Sequence, residues 1–426
     1  MTTASIVLLI ILVVLFLLRV PIAFALGISA LTALVLFTPV PLEVIAQRMF
    51  TGTDSFTLIA VPLFLLAGVL MEYAGVSEKL IALAQAFTGH IRGALGGVTV
   101  GASMFFAGIS GSGIAETAAL GRITIPAMIK RGYHASYAVA IQATAAALGI
   151  IIPPSIIMIL FSVITGASVA ALFIGGIIPG VLFGLALMAT GFVIAAHRKY
   201  PTEPRSSAGS IGKSLIGAIP AMAMPVIILG GILSGIVTAT ESAVLAVIYG
   251  LILGLVTKKI KIRALPEILM ETGMISAMVM LIVANANVFA WVITSQGFPI
   301  ALAKALGNVS QDPIIALLIC TAIYLVAGMF LDTSAALIIL VPVLLPFVSL
   351  AGVDMVQFGI ISVVALAIGL ATPPVGINLF IGAGIAKIGI PEAAKGLWPF
   401  LLAMLAVLLL LILFPPLVTF LPSLIG

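Results

Sequence analysis

The sequence predicts an all-α integral membrane protein folded as an inverted repeat, with two re-entrant helical hairpins and broken helices. The first observation behind this is compositional. Of 426 residues, 63% are hydrophobic and only 7% charged, whereas a soluble domain needs about a quarter charged residues to cover itself in water. The apolar runs are long and unbroken, unlike the short alternating segments of barrel strands. The second observation is a self-match. A shift of 220 residues lays Gly108 on Gly328, Pro126 on Pro346, Gly132 on Gly352, Gly149 on Gly369 and Pro179 on Pro399, with Pro153 and Pro154 falling on Pro373 and Pro374. The third is what the matched stretches contain. GISGSGIAETAALGRITIP (108–126) and GMFLDTSAALIILVPVLLP (328–346) place small and polar residues inside apolar sequence. Each is followed by glycine and a proline pair, in GIIIPPS (149–155) and GLATPPV (369–375). A duplicated unit with its breakers at the same places is the mark of an ion-transporter-like fold whose site lies at the interruptions.

In chain order, residues 1–200 form the first repeat, 201–214 a hydrophilic cytoplasmic linker and 215–426 the second repeat. Residues 4–18 and 22–37 make two spans joined at Arg19-Val20-Pro21, with Pro21 suited to the first turn of the second helix. The opening segment lacks a basic n-region and a small-residue cleavage site, so it reads as a retained span. Residues 41–56 are amphipathic, 59–75 form a span, 77–93 a shorter helix and 93–107 a glycine-rich helix entering the first special stretch. A helix from 134 breaks at 149–154, and a long segment runs to His197. In the second half, spans at 215–234 and 240–257 meet where Thr238-x-x-Glu241 reads as a capping box. A span at 272–296, a helix holding Lys304, a span at 313–327, the second stretch, a helix broken at 369–374 and terminal spans complete the chain. Ala74-Gly75-Val76 also pairs with Gln296-Gly297-Phe298, at a shift of 222. The apolar length allows about ten to twelve crossings.

The net charge of +5 resides in short loops and acts as an orientation signal, not as a nucleic-acid footprint. His197-Arg198-Lys199 and the basic cluster at 258–263 are assigned to the cytoplasmic side, as is Arg19, which puts both termini outside. Corresponding spans then run in opposite directions. Cys320 is the single cysteine, so there is no disulfide framework, and it reads as helix filler.

The chemistry concentrates in the interrupted stretches. Gly and Ser in Ser110-Gly111-Ser112-Gly113 weaken a membrane helix, and Pro126, Pro153 and Pro154 remove N–H donors and free upstream carbonyls. Such backbone must be buried in protein or line a wet cavity. Freed carbonyls and hydroxyls suit a hard monovalent cation, and helix N-termini suit an anion. Ser110 and Ser112 therefore read as cation or solute ligands, or else as padding of a tight helix contact. Asp332, aligned with Ser112, is an intramembrane acid and a functional candidate, the alternative being a cap for Ala335 and Ala336. Thr372 stands where Ile152 stands in the first half and offers a hydroxyl to a second cation; Asn378 is a weaker candidate. Glu116 and Arg122 are read as structural at the cytoplasmic base of the first hairpin, snorkelling or paired, against direct substrate contact. Asn285 and Asn287 are assigned to interhelical hydrogen bonds, and His90, His134 and His197 to loops. No G-x-x-x-x-G-K-[ST] loop is present, so energy would come from an ion gradient and not from nucleotide. The short G-x-S-G at Gly108–Gly111 matches a signature of intramembrane serine proteases, but that chemistry needs a downstream membrane histidine, which the sequence does not offer.

FFAGISGSGIAETAALGRITIPAMIKRGY (105–133), ALGIIIPPSIIMILFSVITGASVAALFIGGIIPG (147–180), TATES (238–242) and GMFLDTSA (328–335) closely resemble the large membrane (DctM-type) subunit of TRAP, tripartite ATP-independent periplasmic, transporters. The resemblance covers essentially the whole chain. It implies a non-enzymatic, Na⁺-driven importer of organic anions such as C4-dicarboxylates or sialic acid, in the bacterial inner membrane with both termini periplasmic. It further implies an elevator mechanism, a periplasmic substrate-binding protein and a small four-helix membrane subunit as partners. A scaffold (1–55 and 215–270) would hold a mobile transport part (93–196 and 313–426). Carried over by motif, a first sodium site would use Ser110, Ser112, Gly149, Ile152 and Pro154, and a second Gly328, Gly369, Thr372 and Val375. Solute contact would fall to Ser112, Ser155 and Asp332.

Overall fold

The computed structural model describes residues 3–88, 93–201 and 207–424. His90 and residues 202–206 of the expected linker lie outside these. Among the described residues every regular element is helical. The first half comprises α1 (Thr3–Leu17), α2 (Ile22–Phe37), α3 (Glu43–Thr53), α4 (Ala60–Tyr73), α5 (Val76–Thr88), α6 (Ala94–Ser110), α7 (Gly113–Lys130), α8 (Ala135–Ala145), α9 (Leu148–Ile151), α10 (Ile156–Thr165) and α11 (Val169–His197). The second comprises α12 (Ala208–Leu233), α13 (Ala239–Val256), α14 (Leu265–Ser295), α15 (Phe298–Gly307), α16 (Pro313–Phe330), α17 (Thr333–Leu350), α18 (Met355–Ala371), α19 (Ile377–Ala386), α20 (Ile390–Lys395), α21 (Trp398–Leu413) and α22 (Pro416–Ser423).

Local sequence explains where these helices begin and end. The expected capping box opens α13: Glu241 N–H donates to Thr238 Oγ1 at 3.3 Å, and Thr238 N–H donates to Glu241 Oε2 at 2.8 Å. Gly75 and Gly297 turn the chain between α4 and α5 and between α14 and α15 with φ of 71° and 68°, a conformation glycine reaches without a Cβ clash. The two registers seen in the sequence recur in the helices. At a shift of 220, α7 maps end to end onto α17, 113 to 333 and 130 to 350. At a shift of 222, the stretch from the start of α3 to the end of α4 (43–73) maps onto α14 (265–295). The first copy is interrupted at Asp54-Ser55, and the second runs unbroken.

Among the described residues, seven helices of 18 residues or more are apolar enough to cross a membrane, or nine if two bent pairs each count as one span, against the ten to twelve crossings that the apolar length allows. The remaining apolar length is spent on helices of 10–17 residues such as α6, α18 and α19, which are arms and half-helices. Contrary to expectation, Pro126 is no breaker, because α7 continues through it, as α17 does through Pro342 and Pro346. Pro126 and Arg122, the residue whose carbonyl it leaves unbonded, both lie on the exposed side of the arm.

The halves interlock. α4 packs on α13 and α2 on α14, while α7 packs on α19 and α10 on α17, so each half supplies partners for the other. The centre is formed by α8, buried from Ser136 to Ala145, and α18, buried from Gln357 to Ala371. A helix buried all round needs small or apolar residues on every face, and YAVAIQATA and GIISVVALAIGLA provide them. Both lead directly into the chain breaks.

Candidate functional site

Each half brings a hairpin tip against a broken helix. In the first, α6 and α7 are the arms of a helical hairpin with its tip at Gly111-Ser112, so the hairpin extends back to Ala94. Gly111 ends α6 in the left-handed region with φ 61°. A Cβ built there would meet Pro154 O at 2.9 Å, so glycine serves both the turn and the close approach. On the other side, a Cβ on Gly149 would meet Glu116 Oε2 at 2.7 Å, and Gly113 N and the Ser112 carbonyl carbon at 3.1 Å. Gly111–Gly113 therefore sits against Gly149 and Pro154.

Side chains at the tip and at the break cap the helices that flank them. Ser112 caps α7, its Oγ accepting from Ala115 N–H at 3.4 Å. Ser110 Oγ accepts from Ser112 N–H and donates to Ser112 O, both at 3.3 Å. Ile152 caps the C-terminus of α9 in extended conformation. The Pro153–Pro154 peptide is cis. Ser155 caps α10 and is fully buried, its hydroxyl donating to Ile150 O at 2.7 Å and accepting from Met158 N–H at 3.4 Å. That hydroxyl is committed to the fold.

The second junction repeats this plan. α16 and α17 form a hairpin with its tip at Leu331-Asp332. Leu331 N–H donates to Ala327 O at 2.9 Å, where Gly111 N–H donates to Ala107 O at 3.4 Å. Asp332 caps α17 through Oδ1, which accepts from Ser334 N–H at 2.9 Å. Gly328 on α16 touches Gly369 near the end of α18: a Cβ on Gly369 would meet Gly328 Cα at 2.5 Å. Thr372 ends α18 in extended conformation, its hydroxyl donating to Ile368 O at 2.7 Å, which leaves oxygen lone pairs free. Gly376 N–H reaches back to Met329 O at 3.4 Å. The Pro373–Pro374 peptide is cis, and Val375 is exposed at 40%.

The arms cross between halves at this point. A Cβ on Gly113 would meet Ala146 O at 2.7 Å and Asn378 Nδ2 at 3.3 Å. Asn378 on α19 donates to Ala143 O at 3.3 Å while its Oδ1 is buried without a partner. Asn378 thus joins the second half to the first tip, a role its sequence position did not signal.

Other assignments change. Glu116 lies one turn from the tip, fully buried, while Arg122 is exposed, so Glu116 is neither at a hairpin base nor paired with Arg122. The sequence showed only an acid and a base six residues apart. Asn285 packs on Gly27 and Asn287 on Gly52 of neighbouring helices, yet Asn285 Nδ2 donates within its own helix, to Leu281 O at 3.1 Å. His134 precedes α8 at its N-cap position without a side-chain capping bond, His197 ends α11 and Cys320 is buried core.

Among the described residues no group of three or more His, Cys, Asp or Glu could hold a metal ion. The oxygens gathered at the tips are carbonyls and hydroxyls, with the Asp332 carboxylate at the second, a donor set that fits a hard cation better than a transition metal. A cavity of about 260 Å³ lined by Lys304, Asn308, Phe347 and Ala351 lies at the opposite end of α17 from Asp332, away from both tips.

Two helical hairpins set against two broken helices, in a chain this apolar, define a membrane protein of the secondary-transporter class. Residues 9–417 match the family described as Tripartite ATP-independent periplasmic transporter, DctM component, and the chain belongs to that family. It is 41% identical over 393 residues to the isethionate TRAP transporter permease protein DctMQ of Oleidesulfovibrio alaskensis, covering 92% of this chain and 62% of that one, so it spans less than two thirds of that relative. It is 37% identical over 403 residues to the C4-dicarboxylate TRAP transporter large permease protein DctM of Pseudomonas aeruginosa, covering 94% of each chain. It is 37% identical over 405 residues to the sialic acid TRAP transporter large permease protein SiaM of Vibrio cholerae, covering 95% of each. The YdaH transporter of Alcanivorax borkumensis shares the fold at a TM-score of 0.66 and 14% identity, over 96% of this chain and 98% of that one. The family is that of a transporter permease component, not an enzyme, in a multi-pass membrane protein.

Proposed function

We propose that this chain is the large permease subunit of a Na⁺-coupled importer of a small organic acid, of the sialic acid or C4-dicarboxylate class. A periplasmic substrate-binding protein delivers the acid, and a small four-helix membrane subunit completes the scaffold. The observation that carries the reading is the pairing of Gly111–Gly113 with Gly149 and Pro154, repeated as Gly328 with Gly369: two sites rich in backbone oxygen, each beside a helix N-terminus. Oxygens bind the coupling cation, and N-terminal dipoles offset the charge of an anion. The solutes named for the relatives, isethionate, C4-dicarboxylates and sialic acid, are all small organic anions.

The energetics favour more than one sodium. A thousandfold solute gradient costs about 4 kcal/mol, and each Na⁺ entering across about 100 mV contributes about 2.3 kcal/mol. An entering monoanion adds about 2.3 kcal/mol to that cost, which one sodium cannot meet; two meet it once a tenfold inward Na⁺ gradient adds about 1.4 kcal/mol for each ion. The two hairpins and their breaks form the mobile transport part (93–196 and 313–426), and residues 1–55 and 215–270 form the scaffold. Inverted halves supply two packings, one open to each side, with both termini periplasmic in a bacterial inner membrane.

The test is reconstitution of the chain with its small subunit in proteoliposomes. Uptake of the organic acid should require an inward Na⁺ gradient and the cognate binding protein. Full-rate uptake by this chain alone would instead make it a stand-alone symporter, and uptake unaffected by sodium would overturn the coupling.

A further inference from the structure

Glu116 is fully buried, and beyond the hairpin neither of its carboxylate oxygens finds a hydrogen-bond partner. Ser103, on the opposite arm α6, lies within hydrogen-bonding reach of it, and its buried hydroxyl has no other partner. Glu116 Oε2 lies close against Gly149, on the face of that glycine that also meets Gly113 N. Three buried oxygens thus converge one turn below the tip. A Cβ at Gly149 would enter the same space. The counterpart of Glu116 at a shift of 220 is Ala336, which is also buried, so the feature belongs to one half only and no symmetry requirement explains it.

An ionised carboxylate in this position costs several kcal/mol unless a charge or hydrogen bonds compensate it. The N-terminus of α7 offsets part of that cost. Arg122 on the same helix faces outward, and among the described residues no ion pair reaches Glu116. A neutral carboxyl could give its O–H to Ser103 Oγ, but its other buried oxygen would still lack a donor. A monovalent cation meets both requirements: it neutralises the charge and takes oxygen ligands without needing a donor.

We propose that Glu116 and Ser103 form a further cation-binding pocket, lodged between the arms of the first hairpin behind Gly149 and taking a sodium-sized monovalent cation. This locus rests on the sodium-coupled reading but is distinct from the tip oxygens of Ser110 and Ser112, and it adds a carboxylate ligand to sites otherwise built of neutral oxygens. A cation here would tie α6 to α7 and both to the α9 break, so its loss would loosen the tip.

The test measures binding, not transport. The purified full-length chain is titrated with radiolabelled Na⁺ at equilibrium, and its thermal unfolding is followed against NaCl with choline chloride as the ionic-strength control. Wild type should bind one more sodium than Glu116→Gln. Glu116→Asp should retain the extra ion, and Ser103→Ala should weaken it about tenfold. A Glu116→Gln chain that keeps wild-type stoichiometry and sodium-dependent stabilisation overturns the pocket while leaving the transport proposal intact. A wild type that binds no sodium overturns both. Should Glu116→Gln fail to fold, the Ser103→Ala titration decides: an unchanged sodium affinity rejects the pocket.

Discussion

Gly328 and Gly369 touch backbone to backbone, so closely that a Cβ on Gly369 would come within 2.5 Å of Gly328 Cα and 2.6 Å of its carbonyl carbon. No flexible side chain could yield there. Gly369→Ala should therefore separate the second hairpin from its broken helix at a cost of about 1–3 kcal/mol, lowering Tm and abolishing uptake. Gly273→Ala on α14, where nothing lies within 4 Å of the added methyl, is the matched control and should leave both unchanged. Equal behaviour of the two variants would show that the glycine contact carries no function.

Asp332 holds two roles that can be separated. Its Oδ1 caps α17, so Asp332→Ala loses a cap worth about 1 kcal/mol together with the charge, and should abolish uptake with expression retained. Asparagine caps as well as aspartate. Asp332→Asn should then keep the wild-type Tm and still lose uptake. If Asp332→Asn transports normally, the carboxylate is only a cap.

Thr372 donates its hydroxyl proton to Ile368 O and keeps its oxygen available to a cation. Thr372→Val removes that oxygen at nearly constant volume. The sodium concentration giving half-maximal uptake should rise by more than the solute KM, and Thr372→Ser should restore it. A sodium curve identical to wild type would dismiss the ligand role.

Ser155 carries a different expectation from the one its motif position suggests. Its hydroxyl, fully buried, donates to Ile150 O and accepts from Met158 N–H. Ser155→Ala leaves both groups unsatisfied, at a cost of about 1–3 kcal/mol, and should lower Tm measurably. A variant with unchanged Tm but raised solute KM would instead place the hydroxyl in the solute site.

Much of the junction geometry could be read before any coordinates. The breaks at Ile152 and Thr372 fall where the paired motifs place them, and Asp332 takes the capping role that its sequence position allows. These residues act locally: glycine and proline change the backbone they belong to, and a capping oxygen reaches only two or three residues ahead. The misreadings were equally physical. Pro126 reads as a breaker, yet α7 runs through it to Lys130, held as a hairpin arm by its packing on α19, α8 and α6. Glu116 reads as an acid at a hairpin base because the sequence does not record which face of α7 turns inward.

The sequence by itself determined the class of the protein, the duplication and the positions of its interruptions, because composition and chain-breaking residues express themselves without distant partners. Only the tertiary structure decided that α7 lies on α19 and α10 on α17, that Asn378 reaches across to the first tip and that an unpaired acid is enclosed beside Gly149. Those relationships join residues far apart in the chain through small side chains and backbone, and such contacts leave no periodicity or motif to read.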